Sequence, residues 1–337
     1  MAIDKLKNVN KQVEEEEKEE DYLLSKEWKE LVRSLPKEQG WLSRNIYKYQ
    51  GFWYDTKHLQ GVLSLQKHFK AKEKDIILVT TPKSGSTWIK ALAFALLNRH
   101  KYPNAQENHP LLTNNPHFLV PFLELSLYSN KDVVTNLDSI LSPRLFSTHL
   151  SFAFLPESVK NSDCKIVYLC RDPKDVFVSL WHFTNKLRSE TSEIRPIDES
   201  LEQFCRGVSP FGPFWEHALG YHKESLKNSR KVLILTFEQM KLHPTLVLKE
   251  LAKFIGCPFF EEEFSKGLVD DILNLCSFNN LRNLEVNKNG KLPDGADAKV
   301  FFRRGEIGDW KNYLTPEMIE ELNTIIENTL AKHGLRF

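Results

Sequence analysis

The chain has 337 residues, 41% of them hydrophobic and 27% charged, with 46 Lys and Arg against 45 Asp and Glu and a formal net charge of +1. That is enough apolar material for a sizeable core in one large or two average domains. It is too balanced a charge for nucleic-acid binding through a bulk basic field, so any anion site must be a local cluster of Lys and Arg.

The cysteines (Cys164, Cys170, Cys205, Cys257, Cys276) are odd in number and never spaced as Cys-x-x-Cys. Such usage suits a reducing compartment and offers no metal framework, so no metal is expected. No signal-like apolar segment opens the chain and no run of about 18 uncharged apolar residues occurs, so neither secretion nor membrane spanning is expected. The expected address is the cytoplasm.

In chain order, residues 1–20 end in "EEEEKEE" and hold almost nothing to bury, which predicts a disordered acidic tail before a domain over 21–337. From Trp28 onward aromatic residues are dense, and "NIYKYQGFWYD" at 45–55 marks the entry into folded material. "DIILVT" at 75–80 reads as a strand, leading through "TPKSGSTW" at 81–88 into a helix. In that helix Trp88, Ile89, Leu92, Leu96 and Leu97 hold helical spacing. "RLFSTH" at 144–149 is a further short strand-like run. "CKIVYLC" at 164–170 is another apolar run, followed by Arg171 and then "DPKDVFVSLWHF". There Asp172 is placed to cap a helix and Pro173 to occupy its first position. "KVLILTF" at 231–237 precedes "HPTLVLKELAKFIGCP", a helical pattern opened by proline and stopped at Gly256 and Pro258. "KNGKLPDGADAK" at 288–299 reads as a surface loop. Short apolar strands alternating with helices predict one α/β domain, a central parallel sheet flanked by helices.

Ligands of such sheets sit at the carboxyl ends of strands, where helix N-termini offer free N–H groups. The loop lies at such an end. Gly85 permits a close backbone approach, Ser84, Ser86 and Thr87 supply hydroxyls, and Lys83 supplies a mobile positive charge. A merely capped strand-to-helix turn remains the plain alternative. A nucleotide-hydrolysing loop would carry "GK[ST]", which is absent, so the anion reads as phosphate-like without magnesium. Arg171, before a helix, and the Arg303–Arg304 doublet in "FFRRGEIGDW" are further cationic points suited to phosphate forks, although each alone also fits a surface ion pair or turn. Among eleven histidines, His149 in "THL" ends a strand on the side of the loop and is the candidate base.

"PKSGSTW", "THL", "CRDPKDVFVSLWHF", "RRGEIGDWKNYLT" and "LCSFNNLRNLEVNKNGKLP" together resemble the cytosolic sulfotransferases, nearest the plant soluble branch. The resemblance runs in order from about residue 30 to the end. It implies a one-domain, P-loop-like α/β fold that transfers SO₃ from 3′-phosphoadenosine 5′-phosphosulfate (PAPS) to an acceptor hydroxyl. On it, Lys83, Ser84, Gly85, Ser86, Thr87 and Trp88 form the 5′-phosphosulfate loop, with Trp88 against the adenine. Arg171 and Ser179 hold the 3′-phosphate with Arg303, Arg304 and Gly305, Phe278 stacks on the base, and His149 is the catalytic base, assisted by Lys83. The sequence departs from the family pattern in several places. Ser86 replaces Thr, Arg304 replaces Lys, and Phe237, near the nucleotide, replaces Tyr. Ser147 stands where many animal members carry Lys, and Pro316 interrupts a short dimer motif, leaving monomer or weak homodimer open. The expected partner is a small lipophilic or phenolic hydroxyl acceptor such as a flavonoid, hydroxyjasmonate or steroid, with neither nucleic acid nor membrane. Phe52, Trp53, Phe122, Trp181 and Phe183 are candidates for its pocket or for ordinary core. Two other readings stay open from the residues alone, a magnesium-dependent P-loop nucleotide kinase and a non-catalytic nucleotide-binding module.

Overall fold

A computed structural model describes residues 26–103, 107–129, 137–188, 194–292 and 295–337; the acidic tail expected over 1–20 lies outside them. After a helix over Lys26–Ser34, the described residues form an antiparallel sheet of three short strands, β1 (Lys37–Gln39), β2 (Asn45–Tyr49) and β3 (Phe52–Tyr54). Helix α1 (Thr56–His68) follows, and then the central sheet begins with β4 (Ile76–Thr80). Helix α2 (Ser86–Asn98) and a short helix α3 (Pro116–Leu119) lead to β5 (Leu145–Thr148). Strand β6 (Lys165–Cys170) runs into α4 (Pro173–Leu187), and α5 (Phe214–Lys227) leads to β7 (Val232–Thr236). Helices α6 (Phe237–Leu242), α7 (Pro244–Phe254), α8 (Leu268–Leu275), α9 (Phe278–Asn283) and α10 (Pro316–Thr329) follow β7, and a further helix over Ile197–Cys205 lies between α4 and α5.

The central sheet is parallel throughout, in the order β5-β4-β6-β7. Its strands are apolar on both faces, as a doubly covered sheet requires. Along β4, Ile77 and Val79 enter one core, and Ile76 and Leu78 the other. The first core is closed by Leu59, Val62 and Leu65 of α1, Phe177 and Leu180 of α4, and Trp215 and Tyr221 of α5. The second is closed by Ile89, Leu92 and Leu96 of α2, Leu248 and Leu251 of α7, and Ile272 of α8.

The local signals in the sequence explain several boundaries. The Asp172 carboxylate accepts the Lys174 N–H at 2.9 Å, and Pro173 takes the first turn of α4. Helix α7 opens on Pro244, and Gly256 beyond its end has φ 81°. Residue 237 departs from expectation. The strand stops at Thr236, whose hydroxyl accepts the Gln239 N–H while the Gln239 carboxamide accepts the Thr236 N–H. This reciprocal cap starts α6 at Phe237, one residue earlier than a simple apolar run would suggest.

The chain passes from β5 across β4 to β6, so connections leave β4 and its neighbours in opposite directions. The crevice at such a reversal, outside the carboxyl ends of the strands, is where ligands of open α/β sheets bind. In this protein Thr81–Gly85 leaves β4, His149 leaves β5, Arg171 leaves β6 and Phe237 leaves β7, all on that edge.

Candidate active site

Gly85 precedes α2 with φ 111° and ψ 26°, a left-handed conformation that glycine adopts without steric cost. A β-carbon there would lie 3.0 Å from Phe237 and 3.2 Å from Leu169, so the loop is pressed against the ends of β6 and α6. Ser84 is fully buried and its hydroxyl shares a 2.5 Å hydrogen bond with that of Thr81. Ser86 and Thr87 form the first turn of α2, whose N–H groups face outward from the strand edge. Lys83 also has positive φ, 71°. Its Nζ lies 3.9 Å from the Phe183 ring centre and 5.5 Å from that of Phe301. Burial, then the neighbouring charges of Arg303, Arg171 and Lys186, push its pKa down to about 7.

The arginines expected far apart in sequence do meet. Arg171 Nη2 donates to the Glu306 carbonyl at 2.5 Å and pairs with Asp175 at 3.2 Å. Asp175, wholly buried, also accepts the N–H groups of Gly308 at 2.8 Å and Trp310 at 3.1 Å. It thereby ties α4 to the segment carrying Arg303 and Arg304. Both of those arginines are held by buried Asp309, Arg303 through a short contact and Arg304 at 2.9 Å. Among the described residues Arg171 Nε and Arg303 Nε remain buried without a hydrogen-bond partner, two donors that an anion's oxygens would satisfy. Ser179 is buried two turns along α4 from Arg171.

Aromatic residues line the same edge. Trp88 meets Phe237 edge-on at 5.6 Å, and the Arg171 guanidinium stacks 4.3 Å over Phe237. Phe237 is therefore an apolar platform for the arginine. A β-carbon on Gly305 would come 2.6 Å from the Phe278 ring, so that ring lies directly on the glycine.

His149 leaves β5 with its Nδ1 2.6 Å from the Thr80 carbonyl. A carbonyl only accepts, so Nδ1 carries the proton and Nε2 is the basic nitrogen. Burial pushes its pKa down to about 3 against the opposing effect of that hydrogen bond, so the ring is neutral at physiological pH. Its position is fixed from three sides. The wholly buried Glu124 accepts the His149 N–H at 2.7 Å and the Thr148 hydroxyl at 2.7 Å. His217 bonds the His149 carbonyl at 2.9 Å. Phe122 lies 4.5 Å and Phe211 5.4 Å from the imidazole.

Of the five aromatic pocket candidates, Phe122 stands at His149 and Phe183 at Lys83. Phe52 packs on Phe154 and His217, Trp53 clusters with Ile46 and Val208, and Trp181 donates its Nε1–H to the Arg195 carbonyl. Ser147 donates to the Pro121 carbonyl at 3.1 Å and is buried. Its hydroxyl is therefore committed to holding the 121–147 contact.

Sequence reasoning missed Lys90, His117, Glu124, Asp175 and Asp309. Lys90 had a readable signal, a lysine on the apolar face of a helix between Ile89 and Ala91. Glu124 acts only through Thr148 and His149, remote from its own segment, whereas Asp309 lies in the same "FFRRGEIGDW" segment as the arginines it holds.

Together the loop, the arginine cluster and the oriented imidazole gather cationic groups, free helix N–H groups and a neutral, oriented imidazole on one edge of an α/β sheet. Comparison with known proteins gives the family. The family model described as a sulfotransferase domain matches residues 73–334. Cytosolic sulfotransferase 12 of Arabidopsis thaliana is 52% identical over 315 residues, which are 93% of this chain and 95% of that protein. Cytosolic sulfotransferase 15 of the same plant is 49% identical across 95% of this chain and 89% of its own length. Among solved structures, a candidate steroid sulphotransferase of Arabidopsis thaliana is similar with a TM-score of 0.73 and 46% identity, over 91% of this chain and 94% of that one. Mouse sulfotransferase SULT7A1 complexed with PAP is similar with a TM-score of 0.63 and 25% identity, over 85% of this chain and 94% of that one. The chain belongs to the sulfotransferase family, and it is an enzyme of the transferase class.

Proposed function

We propose that this enzyme moves the sulfuryl group of PAPS onto a hydroxyl of a small lipophilic or phenolic plant metabolite, in the cytosol, with His149 as general base. The observation that carries the reading is the His149 imidazole itself. Its Nδ1 is committed to Thr80 at 2.6 Å, which leaves Nε2 as a neutral proton acceptor on the strand edge that also holds Lys83. His149 Nε2 would take the acceptor's hydroxyl proton as the oxygen bonds to sulfur. The bond from sulfur to the bridging oxygen of the 5′-phosphate breaks in the same displacement. Lys83 and the N–H groups of the first turn of α2 would stabilise the negative charge that develops on that oxygen. Arg171, Arg303 and Arg304, with Ser179 and Gly305, would hold the 3′-phosphate, while Trp88, Phe237 and Phe278 flank the adenine.

The acceptor class rests on the rings around the base. Phe122 and Phe211 beside His149, and Phe183 and Phe301 beside Lys83, suit a flat or apolar body with one reactive hydroxyl. The name of the steroid sulphotransferase relative supports the same class, which covers flavonoids, hydroxyjasmonates and steroids alike. A panel of such acceptors with PAPS labelled in its sulfuryl group tests both halves of the reading. With the best acceptor, His149→Ala should lower kcat by about 10²–10⁴-fold while PAP binding stays within a few-fold of wild type. Turnover by the variant near the wild-type rate would remove His149 from the chemistry.

A further inference from the structure

A partly buried hydrogen-bond chain runs from Lys90 to the anion loop and ends on one of its hydroxyls. Thr87 Oγ1 lies 2.9 Å from His117 Nε2, and His117 Nδ1 lies 3.0 Å from Lys90 Nζ. The position of His117 is built rather than incidental. Asn115 caps the turn of α3, its carboxamide accepting the His117 N–H at 2.9 Å and donating to Asn287 at 2.8 Å. Both asparagines are buried. The His117 ring is stacked on Phe122 at 5.5 Å and held at 4.6 Å from Phe301. Lys90 is completely buried, with its Nζ 3.2 Å over the Phe122 ring. The nearby carboxylate, Glu124, is already committed to Thr148 and to the His149 N–H.

The chain can run in two directions. When Lys90 donates to Nδ1, the imidazole carries its proton on Nε2 and donates to Thr87, whose own hydroxyl proton is then free to face the loop. In the reverse direction Thr87 donates to Nε2 and presents only lone pairs to the loop, which repel an anion. Burial holds the pKa of Lys90 well below that of an ordinary lysine and that of His117 well below that of an ordinary histidine, so both groups can act as neutral relays.

We infer that His117 is a positioning residue for donor binding, which together with Lys90 turns the Thr87 hydroxyl into a hydrogen-bond donor toward the anion held by the loop. The inference rests on the sulfuryl-transfer reading, because it requires that the loop hold the donor's 5′ end. A buried lysine and a half-buried histidine beside the loop would otherwise be a costly way to fill space, since neither forms an ion pair among the described residues.

The test is a double-mutant cycle read by titrating the protein with PAP. Thr87→Val should weaken binding about 10-fold, the loss of one hydrogen bond to a charged group. His117→Phe keeps the ring stack and removes both hydrogen bonds, and should cost a similar factor. The double variant should bind within about 2-fold of Thr87→Val alone, since His117 acts only through that hydroxyl. His117→Gln, whose carboxamide can accept from Lys90 and donate to Thr87, should recover most of the lost affinity. Should His117→Phe not fold, Lys90→Met takes its place in the same cycle. Losses that multiply in the double variant, or wild-type affinity in His117→Phe, would overturn the relay while leaving the sulfuryl-transfer reading intact. A wild-type protein that does not bind PAP would overturn both.

Discussion

At Lys83 two costs fall on one side chain. Its φ of 71° places a non-glycine residue in the left-handed region, which costs about 1–2 kcal/mol. Burial, together with the neighbouring charges of Arg303, Arg171 and Lys186, brings the pKa of its ammonium down to about 7. Backbone strain and a displaced pKa on one residue are the marks of a functional position. They also set a sign. The free enzyme holds Lys83 partly deprotonated near neutrality, and a bound anion must raise its pKa again. PAP binding at pH 8 should therefore be accompanied by uptake of roughly half to one proton. Calorimetric titration in buffers of different ionisation enthalpy measures it directly, and Lys83→Met should abolish it. Heats independent of the buffer would mean that the charge on Lys83 does not change on binding. Lys83 was legible in the sequence because it adjoins a glycine and three hydroxyls at a strand end. His117 was not legible, since its partners Thr87 and Lys90 lie about thirty residues away and "NPHFL" carries no motif of its own.

The elements that hold the site were read unevenly, for reasons of length and range. The strands at 76–80, 145–148, 165–170 and 232–236 are apolar on both faces and stand out as runs, and the Asp172 and Pro244 signals mark helix starts. The antiparallel sheet over residues 37–54 escaped notice because two of its strands have three residues each, too few to show a period. The start of α6 was written in the sequence as Thr236-x-x-Gln239 but was obscured by the apolar run that precedes it. The segment over residues 301–310 showed its arginines and hid what shapes it, the contact between Gly305 and Phe278. That contact makes a prediction at the level of the element. Gly305→Ala places a methyl 2.6 Å from a ring atom of Phe278 at a residue with φ 65°, so the ring must move. Because Gly305 lies on a half-buried surface segment, the melting temperature should fall only by a few degrees, in keeping with a cost of about 1–2 kcal/mol. PAP affinity should fall at least about 10-fold if Phe278 stacks on the adenine, a contact of about 1–3 kcal/mol. Equal loss of binding for PAP and for an adenine-free bisphosphate probe would show that the ring plays no part in base recognition.

Over the whole molecule, the proposed donor site depends on a sheet order that brings together residues more than two hundred positions apart. Lys83 follows β4, Arg171 follows β6, and Arg303 and Arg304 lie on a loop near the C-terminus. Two buried carboxylates make that convergence rigid. Asp175 joins Arg171 to the backbone of Gly308 and Trp310, and Asp309 holds both arginines of the doublet. The carboxylates orient the guanidinium groups and leave Nε of Arg171 and Nε of Arg303 unbonded, so the cluster is arranged for a further anion. If that anion is the 3′-phosphate, the enzyme should use PAPS and strongly refuse adenosine 5′-phosphosulfate, which lacks the group. The missing phosphate would forfeit several charge-assisted hydrogen bonds and leave the arginine donors unsatisfied in a buried site. Two such bonds at about 1.5–3 kcal/mol each set a preference of at least roughly 10²-fold in kcat/KM. Arg171→Ala should shrink that preference by weakening PAPS alone. Lys83→Met should slow both donors alike, because the bond that breaks is common to them. Competition kinetics with the two labelled donors reads all three proteins on one scale. Equal use of the two donors by the wild type would place the arginines outside donor recognition, and an unchanged preference in Arg171→Ala would leave the doublet at 303–304 to account for it alone.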